Sequence, residues 1–592
     1  MNDQTPSATG AIWAYNPAAP HLAEGLVEQT GMPLALAMAL AGRGITKENA
    51  ASWLAPKIRD LMPDPSILTD MDKAVARLIK AVENGEMIGI FGDYDVDGAS
   101  SAAILHDVLT PLGCAVSIHI PDRFKEGYGP NLPALENLKA QGCSLIITVD
   151  CGITAHEPIA ATVDAGVDVI IIDHHIAGPD LPQALAVVNP NRLEDDGAYG
   201  YLAAAGVCFL VMAALLRGLR QQGYFTDQPE PHLLSSLDLA ALATVADVVP
   251  MTGLNRAYVR TGLEVMAQRK RLGLAALADI ARMTNAPDAY ALGFLLGPRI
   301  NAGGRIGNSS LGVNLLACQN QQDADRLAAE LDALNTQRKT IEQDVTSAAI
   351  AQIENNAGDA DLPPMIMAFG DDWNQGVIGI SAGRLKEHFD RPAAVISITT
   401  TQDGQRIGKA SARSVAPFKL GAAVIAAHQH GLLEAGGGHD MAAGFTLNME
   451  QLPAFQAFME SRAKADFNGA APARVMAVDS MLSPHAATLD LLDWMDQAGP
   501  YGTGFDPLTF MLDHVTLGPV RKIGKDDAHM AMSISDGMAN LAGIAFRVTG
   551  TPLGDALLAA SDGRPVQILG RLNRNIFRDR VTPQLVISDV KI

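Results

Sequence analysis

Short, mostly unbroken apolar runs recur through the first third of the chain: MIGIFG (87–92), AVSIHI (115–120), SLIITV (144–149), VDVIII (167–172) and ALAVVN (184–189). A strand with one wet face alternates apolar and polar residues, whereas a strand covered on both faces does not. Stretches such as SSAAILHDVL, with helical spacing, separate most of these runs. Short covered strands alternating with helices predict an α/β fold on a parallel sheet. Upstream, residues 33–60 read as short helices, and the extended PDPSIL leads into a helix near Met71–Asn84. The apolar run Leu202–Leu216 is shorter than the roughly 18 residues of a membrane span and reads as a buried helix.

Further on, Leu327, Leu331, Leu334, Ile341, Val345 and Ala348 recur at three- and four-residue steps broken by Arg338, predicting a long amphipathic helix near Asp323–Ile353. A second α/β region follows at about 362–465 and holds the glycine-rich EAGGGHDMAAG. The tail has short strands such as HVTLGPV, PVQILGRL and PQLVISDV, which suggest a small β-barrel or sandwich. These patterns divide the chain into an N-terminal helical segment (1–70), an α/β core domain (71–320), a connector helix (321–357), a second α/β domain (358–468) and a β domain (469–592). No internal repeat or low-complexity tract interrupts them.

Composition narrows the class. With 592 residues, 48% apolar and 18% charged, the chain is an ordinary folded protein of several domains. A net charge of −21 argues against a general nucleic-acid coat, although it leaves room for a local basic channel. Five cysteines without a CxxC spacing suggest neither a disulfide framework nor a zinc ribbon, and point to a reducing cytoplasm. The N-terminus has no basic start followed by an apolar core, so no export signal is expected and no membrane association.

Three strand candidates end in acid: MIGIFG runs into Asp93, SLIITV into Asp150, and VDVIII into Asp173-His174-His175. Ligands of an open parallel sheet bind at the carboxyl ends of its strands, so these residues converge. Asp93, Asp95 and Asp97 sit on alternate positions of GDYDVDG and repel one another unless a cation lies among them. Asp247, in LATVADVVPM, can close the site from another side. Oxygen ligands with one or two imidazoles suit Mn²⁺ or Mg²⁺, and this many carboxylates can hold two ions about 3.5–4 Å apart. An EF-hand fits Asp93, Asp95, Asp97 and Gly98 but places Ile104 where a glutamate is needed. An aspartyl-phosphate phosphatase leaves the histidine pair without a role. One imidazole can ligate metal while the other meets a phosphoryl oxygen or protonates a leaving group.

The motifs GDYDVDGASSA, TVDCGIT, IIDHH, TVADVVPM, GPRINAGGRIG, SARSV and GGGH, in this order, resemble the DHH phosphoesterase superfamily, and within it the single-strand-specific exonucleases. The resemblance covers nearly the whole chain. It implies a DHH core, a connector helix, a DHH-associated domain with the GGGH motif, and an OB-like terminal domain. It also implies hydrolysis of single-stranded DNA from the 5′ end to 5′-mononucleotides, with two Mn²⁺ or Mg²⁺ ions, in recombination and repair. Carried over, Asp95, Asp97, Asp150, His174 and Asp247 are the ligands, with Asp150 as bridge. Asp93 is a further ligand or supports one, and His175 has a phosphate-side or acid role. Single-strand-binding protein and a RecQ-type helicase are possible partners, and a monomer is expected. The alternatives are a DHH enzyme acting on small or short-oligonucleotide substrates, and a catalytically silent binding homologue.

Several residues are candidates for holding the strand. Arg299, Arg305 and Arg413 can clamp phosphates or form structural ion pairs. Ser414 lies beside Arg413, and Gly436, Gly437 and Gly438 would let amides approach a phosphate next to His439, unless they make a plain turn at a helix start. In the tail Arg571, Arg574, Arg578 and Arg580 surround Phe577, a pairing of charge with a stacking ring. Two positions depart from the family pattern: Asn374 stands where a histidine is expected and Phe505 where an asparagine is.

Overall fold

The computed structural model describes residues 5–15, 17–123, 125–358, 361–469, 474–578 and 580–592. They fall into two compact units, Pro63–Val249 with Tyr258–Pro472, and Met1–Met62 with Pro250–Ala257 and Ala473–Ile592.

The larger unit contains the expected parallel sheet. Its strands run in the spatial order Ala115–His119, Met87–Gly92, Leu145–Val149, Asp168–Ile172, Ala186–Val188, all parallel. After Met87–Gly92, the second strand in this order, the chain goes to one side, then returns to build the other. That reversal is a topological switch point, and the crevice it opens lies at the carboxyl ends of Met87–Gly92 and Leu145–Val149. Phe91, Ile146, Val169 and Ile171 pack into a core with Leu135, Leu138 and Ile159 of the covering helices. The run read as a buried helix is Ala204–Gln221, with Val207 to Met212 buried. Among the described residues it is the one helix long and apolar enough to cross a membrane, and 72% of it is buried inside the protein.

The connector is one helix, Gln321–Ala357, started by the Asn320 side chain, which accepts from the Asp323 amide. Arg338 breaks its apolar stripe because its guanidinium is turned inward, paired with Glu342 at 2.7 Å and with Asn335. Beyond it lies a five-stranded mixed sheet in the order Ala435–His439, Ala442–Asn448, Arg406–Arg413, Ala393–Thr400, Ile366–Asp371.

In the smaller unit, Phe510–Leu517 pairs with both His529–Ser535 and Val566–Phe577, and Asn540–Ala545 pairs in parallel with Arg580–Lys591. These pairings close a five-stranded barrel with the connectivity of an OB fold. The N-terminal stretch, expected to be helical, also carries a strand. Ile12–Tyr15 pairs in parallel with Val475–Val478, because IWAY offers β-branched and aromatic side chains to an open edge. Phe505, one of the departures, is 4% exposed, stacked on Tyr501 at 5.3 Å and edge-on to Trp53 at 4.6 Å. Arg256 lies over Trp53 at 3.8 Å, and Arg43 over Phe505 at 5.0 Å. A ring at 505 therefore serves the core of this unit.

Gly98 is what lets the first acidic loop turn directly into a helix. A Cβ there would stand 2.4 Å from the Asp93 carbonyl oxygen and 2.6 Å from its nitrogen, both fixed backbone. Gly98→Ala is expected to destabilise the protein by about 1–3 kcal/mol through overpacking. Urea unfolding checks this, and a variant as stable as the parent would refute the close approach.

Candidate metal centre and strand-binding residues

The three carboxylates of GDYDVDG follow the strand Met87–Gly92 at the switch point, and each is held differently. Asp95 caps the helix Val96–Leu109, accepting from the amides of Asp97 at 2.9 Å and Gly98 at 3.1 Å. A carboxylate is stabilised there by the free amides of the first turn. Asp97 is 1% exposed and accepts from the amides of Ala204 at 2.7 Å and Ala205 at 2.8 Å, the first turn of the buried helix Ala204–Gln221. Asp93 is also buried, and its Oδ1 meets no hydrogen-bond partner. Asp150, after Leu145–Val149, is buried in a left-handed conformation with φ of 60°. Such backbone strain in a residue other than glycine concentrates at functional sites.

The two histidines of the DHH triplet divide by their partners. His174 Nδ1 lies 3.1 Å from the Leu202 carbonyl, which only accepts, so the neutral ring has its proton on that nitrogen and its lone pair on Nε2. Nε2 lies 3.2 Å from Asp150 Oδ1, 3.6 Å from Asp247 Oδ2 and 3.8 Å from Asp97 Oδ2. His175 instead places Nδ1 2.7 Å from Asp173 Oδ1. Asp173 itself is fully buried and accepts from the amides of Ile153, His174 and His175. Burial opposes its charge, but the hydrogen bond and charge of His175 and these amides hold its carboxyl below the ordinary range. In return, although burial disfavours the imidazolium, Asp173 pushes His175 up to about 9. Asn189 and Asn191 donate to the carbonyls of His175 and His174 and fix the turn.

Donor atoms lie within 4.8 Å of one another in three sets: Asp93, Asp95 and Asp150; Asp97, His174 and Asp247; and Asp150, His174 and His175. Burial first, then the other carboxylates, push Asp93 and Asp247 up to about 8 and raise Asp150 and Asp97. Acids crowded this way are held apart by a cation or neutralised by protons.

The arginines sort by their partners. Arg299 is not at the centre: its guanidinium pairs with Asp332 of the connector at 2.9 Å and donates to the Leu295 carbonyl, the structural ion pair that the sequence leaves open. Arg305 is partly buried and donates to the Gly376 carbonyl at 3.0 Å. Burial, then Arg123 and Arg338, lower it to about 10. Arg123 itself lies over the Tyr94 ring at 4.8 Å. Asn374 uses its side chain to accept from the Gly376 amide, and so shapes the turn that holds Arg305. Arg413, lowered by burial, meets Ser411 Oγ and the Ala412 carbonyl. Ser414 is not available to a ligand, because its hydroxyl donates to the Phe418 carbonyl at 2.7 Å and the residue is 1% exposed.

Gly436, Gly437 and Gly438 form no turn at a helix start. They lie in the edge strand Ala435–His439, where a Cβ at Gly438 would stand 2.4 Å from the Ala442 carbonyl. His439 pairs with Ala442, and Ala442 with Arg413, so the histidine and the arginine share one face of that sheet. In the smaller unit Phe577 is 64% exposed at the tip of a hairpin, with Arg578 over its ring at 5.2 Å. Arg574 is paired with Asp493 and Asp496, both at 2.5 Å. Arg521 and Lys522, in the short strand Arg521–Ile523, and Lys525, in the turn after it, lie exposed on the connection after the first barrel strand, and with the hairpin they belong to the connections that OB folds use for oligonucleotides.

Sequence reasoning names the central acids and both histidines but misses Asp173 as the residue that holds His175. It also misses Asn301, whose Oδ1 accepts from the Val96 amide at 3.0 Å, and Arg123 and the basic loop. The signal for Asn301 is its place in PRINAGGR, where Gly304 lets the helix approach the Tyr94 backbone.

Comparison with known proteins agrees with this geometry. Residues 87–244 match the DHH family N-terminal domain, 362–465 the DHHA1 domain and 478–589 the RecJ OB domain. The single-stranded-DNA-specific exonuclease RecJ of Escherichia coli (strain K12) is 35% identical over 568 residues, covering 94% of this chain and 96% of that protein. RecJ of Bacillus subtilis (strain 168) is 34% identical, over 96% of this chain and 69% of that protein. The crystal structure of RecJ in complex with Mn²⁺ from Thermus thermophilus superposes with a TM-score of 0.81 at 28% identity, covering 100% of this chain and 80% of that one. Architecture, ordered motifs and overall similarity therefore agree, and the chain belongs to the RecJ family of single-stranded-DNA-specific exonucleases.

Proposed function

We propose that this protein is a metal-dependent exonuclease that degrades single-stranded DNA from its 5′ end to 5′-mononucleotides, in recombination and repair. The observation that carries the reading is the pair of donor sets joined through Asp150. Asp93, Asp95 and Asp150 lie on one side, and Asp97, His174 and Asp247 on the other, with His174 Nε2 within 3.2 Å of Asp150. The residues fit two hard divalent cations, Mn²⁺ or Mg²⁺. The set is carboxylate-rich with one imidazole lone pair directed inward, and the unpartnered buried Oδ1 of Asp93 has the place of a ligand atom. When bound, the cations supply an activated water at neutral pH and neutralise charge on the scissile phosphate.

The protein's own groups do the rest. His175, kept protonated by Asp173, offers its Nε2 proton to a phosphoryl oxygen or to the departing 3′ oxygen. Arg305 and Arg123 are two cations near enough for one to lower the other, and a backbone phosphate can meet both. Arg413 and His439 offer a second phosphate contact, with the glycine strand admitting the backbone closely. In the smaller unit Phe577 stacks on a base while the exposed cations beside it hold phosphates. The five free cysteines suit a reducing cytoplasm. Single-strand-binding protein and a RecQ-type helicase would be the partners that present such strands to a monomeric enzyme.

Wild-type protein with Mn²⁺ is expected to release mononucleotides from the 5′ end of labelled single strands and to leave blunt duplex intact. Asp150→Asn is expected to lose well over about 100-fold, the upper end of what outer-shell substitutions cost. Release from the 3′ end, or an active Asp150→Asn, would refute the reading.

The metal should also show in stability. Asp93 and Asp247 sit near 8 in the folded protein, against an ordinary carboxylate value of about 4 in the unfolded chain. The metal-free folded state therefore binds more protons than the unfolded one between these values, and its stability falls as pH rises through that window. Cations replace the protons, so the gain in Tm on adding Mn²⁺ should be larger near about pH 8 than near about pH 5.5. Equal gains at both would argue against these acids as ligands. Differential scanning calorimetry measures both.

A further inference from the structure

One helix lines the metal centre from end to end. The wide turn Ala291–Leu296 runs directly into the helix Gly297–Ile306. Pro298 accounts for the widening, since it has no amide to return to Phe294 and its ring crowds that carbonyl. Gly293 and Gly297 lie against Val245 and Ala246, with a Cβ on each just 3.3 Å from those side chains, and Asp247 is the next residue. Asn301 then caps the helix that follows Asp95, Gly304 touches Tyr94, and Arg305 ends the wall.

Its other end has no role in the chemistry described above. Tyr290 and Phe294 are 63% and 67% exposed, and their rings stack on each other at 4.9 Å with 23° between planes. Val248, next to Asp247, is 64% exposed and holds φ at 61°, a conformation that a β-branched residue adopts only under strain. Single exposed apolar residues are ordinary. Here a stacked aromatic pair on a widened turn and a strained valine adjoin the same metal-binding helix end, and neither is needed to fill a core.

We infer that Tyr290 and Phe294 form a base-stacking platform for the strand being degraded, an inference that rests on the exonuclease reading above. A flat exposed ring pair accepts any base, as an enzyme that must digest all sequences requires. The platform is continuous with the metal centre through Val245 and Ala246. Phe294 and Arg305 are about 16 Å apart along the helix axis, at ~1.5 Å per residue. With the 5′-terminal phosphate held at Arg305, that span equals about five stacked nucleotides at ~3.4 Å each, so the platform meets bases beyond the nucleotide being removed.

The test uses the full-length protein with Mn²⁺, steady-state kinetics on single strands of graded length, and Phe294→Ala and Tyr290→Ala. The KM penalty of each variant should grow with length and reach about tenfold once the strand exceeds about five nucleotides, with kcat unchanged. Phe294→Trp should restore it. Wild type should show a KM peak when a single abasic site is moved to about the fifth nucleotide, and Phe294→Ala should erase that peak. Both side chains are exposed, so matching Tm values separate this effect from misfolding. Variants with wild-type KM at every length, and no position-dependent abasic effect, overturn the platform alone. A wild type that does not cut single strands removes the exonuclease reading and the platform with it.

Discussion

Crowded negative charge at the switch point of the parallel sheet is the constraint around which the larger unit is built. Five carboxylates, Asp93, Asp95, Asp97, Asp150 and Asp247, approach one another where burial already disfavours their charge. Backbone amides at helix starts meet part of this cost: Asp95 is held by the turn it caps, and Asp97 by the first amides of Ala204–Gln221. Glycines supply the close approach that such caps need, Gly98 against Asp93 and Gly304 against Tyr94. The fold therefore supplies dipoles and geometry, and leaves the remaining charge to be matched by divalent cations.

Within the DHH triplet the same chemistry yields opposite outcomes. Asp173 accepts from three amides and from His175, so its charge is satisfied inside the protein and it is absent from every donor set. Asp150 accepts nothing comparable and sits between both sets. His174 faces the acids because its Nδ1 is tied to the Leu202 carbonyl, and His175 becomes a cation because its Nδ1 is tied to Asp173. Adjacent identical residues thus acquire different roles from the second partner of each ring.

That distinction marks where sequence reasoning stops. The sheet is legible because strands covered on both faces give unbroken apolar runs, and the centre is legible because acids follow those runs. Which acid is exposed to a cation and which is saturated by amides depends on residues far along the chain, such as Ala204 for Asp97, and leaves no local mark. Arg299 and Arg305 occupy one motif six residues apart, yet Asp332 neutralises the first while the second is left with a carbonyl. Phe505 looks like a departure from a motif until Trp53, Tyr501 and Arg256 enclose it. The segment Pro250–Ala257 crosses from one unit's sequence into the other's core with no change in composition to announce it.

The partners of buried arginines also explain how an acidic chain can handle DNA. Arg77, Arg192 and Arg271 are buried beside carboxylates, and their charge is used up within the fold. Arg305 and Arg413 are partly buried with carbonyl or hydroxyl partners, and burial lowers both. A cation kept in that state costs stability unless an anion from outside completes it. Net charge averages over both kinds and conceals the difference. A net charge of −21 therefore leaves room for local positive charge within the larger unit, at Arg305 and Arg413.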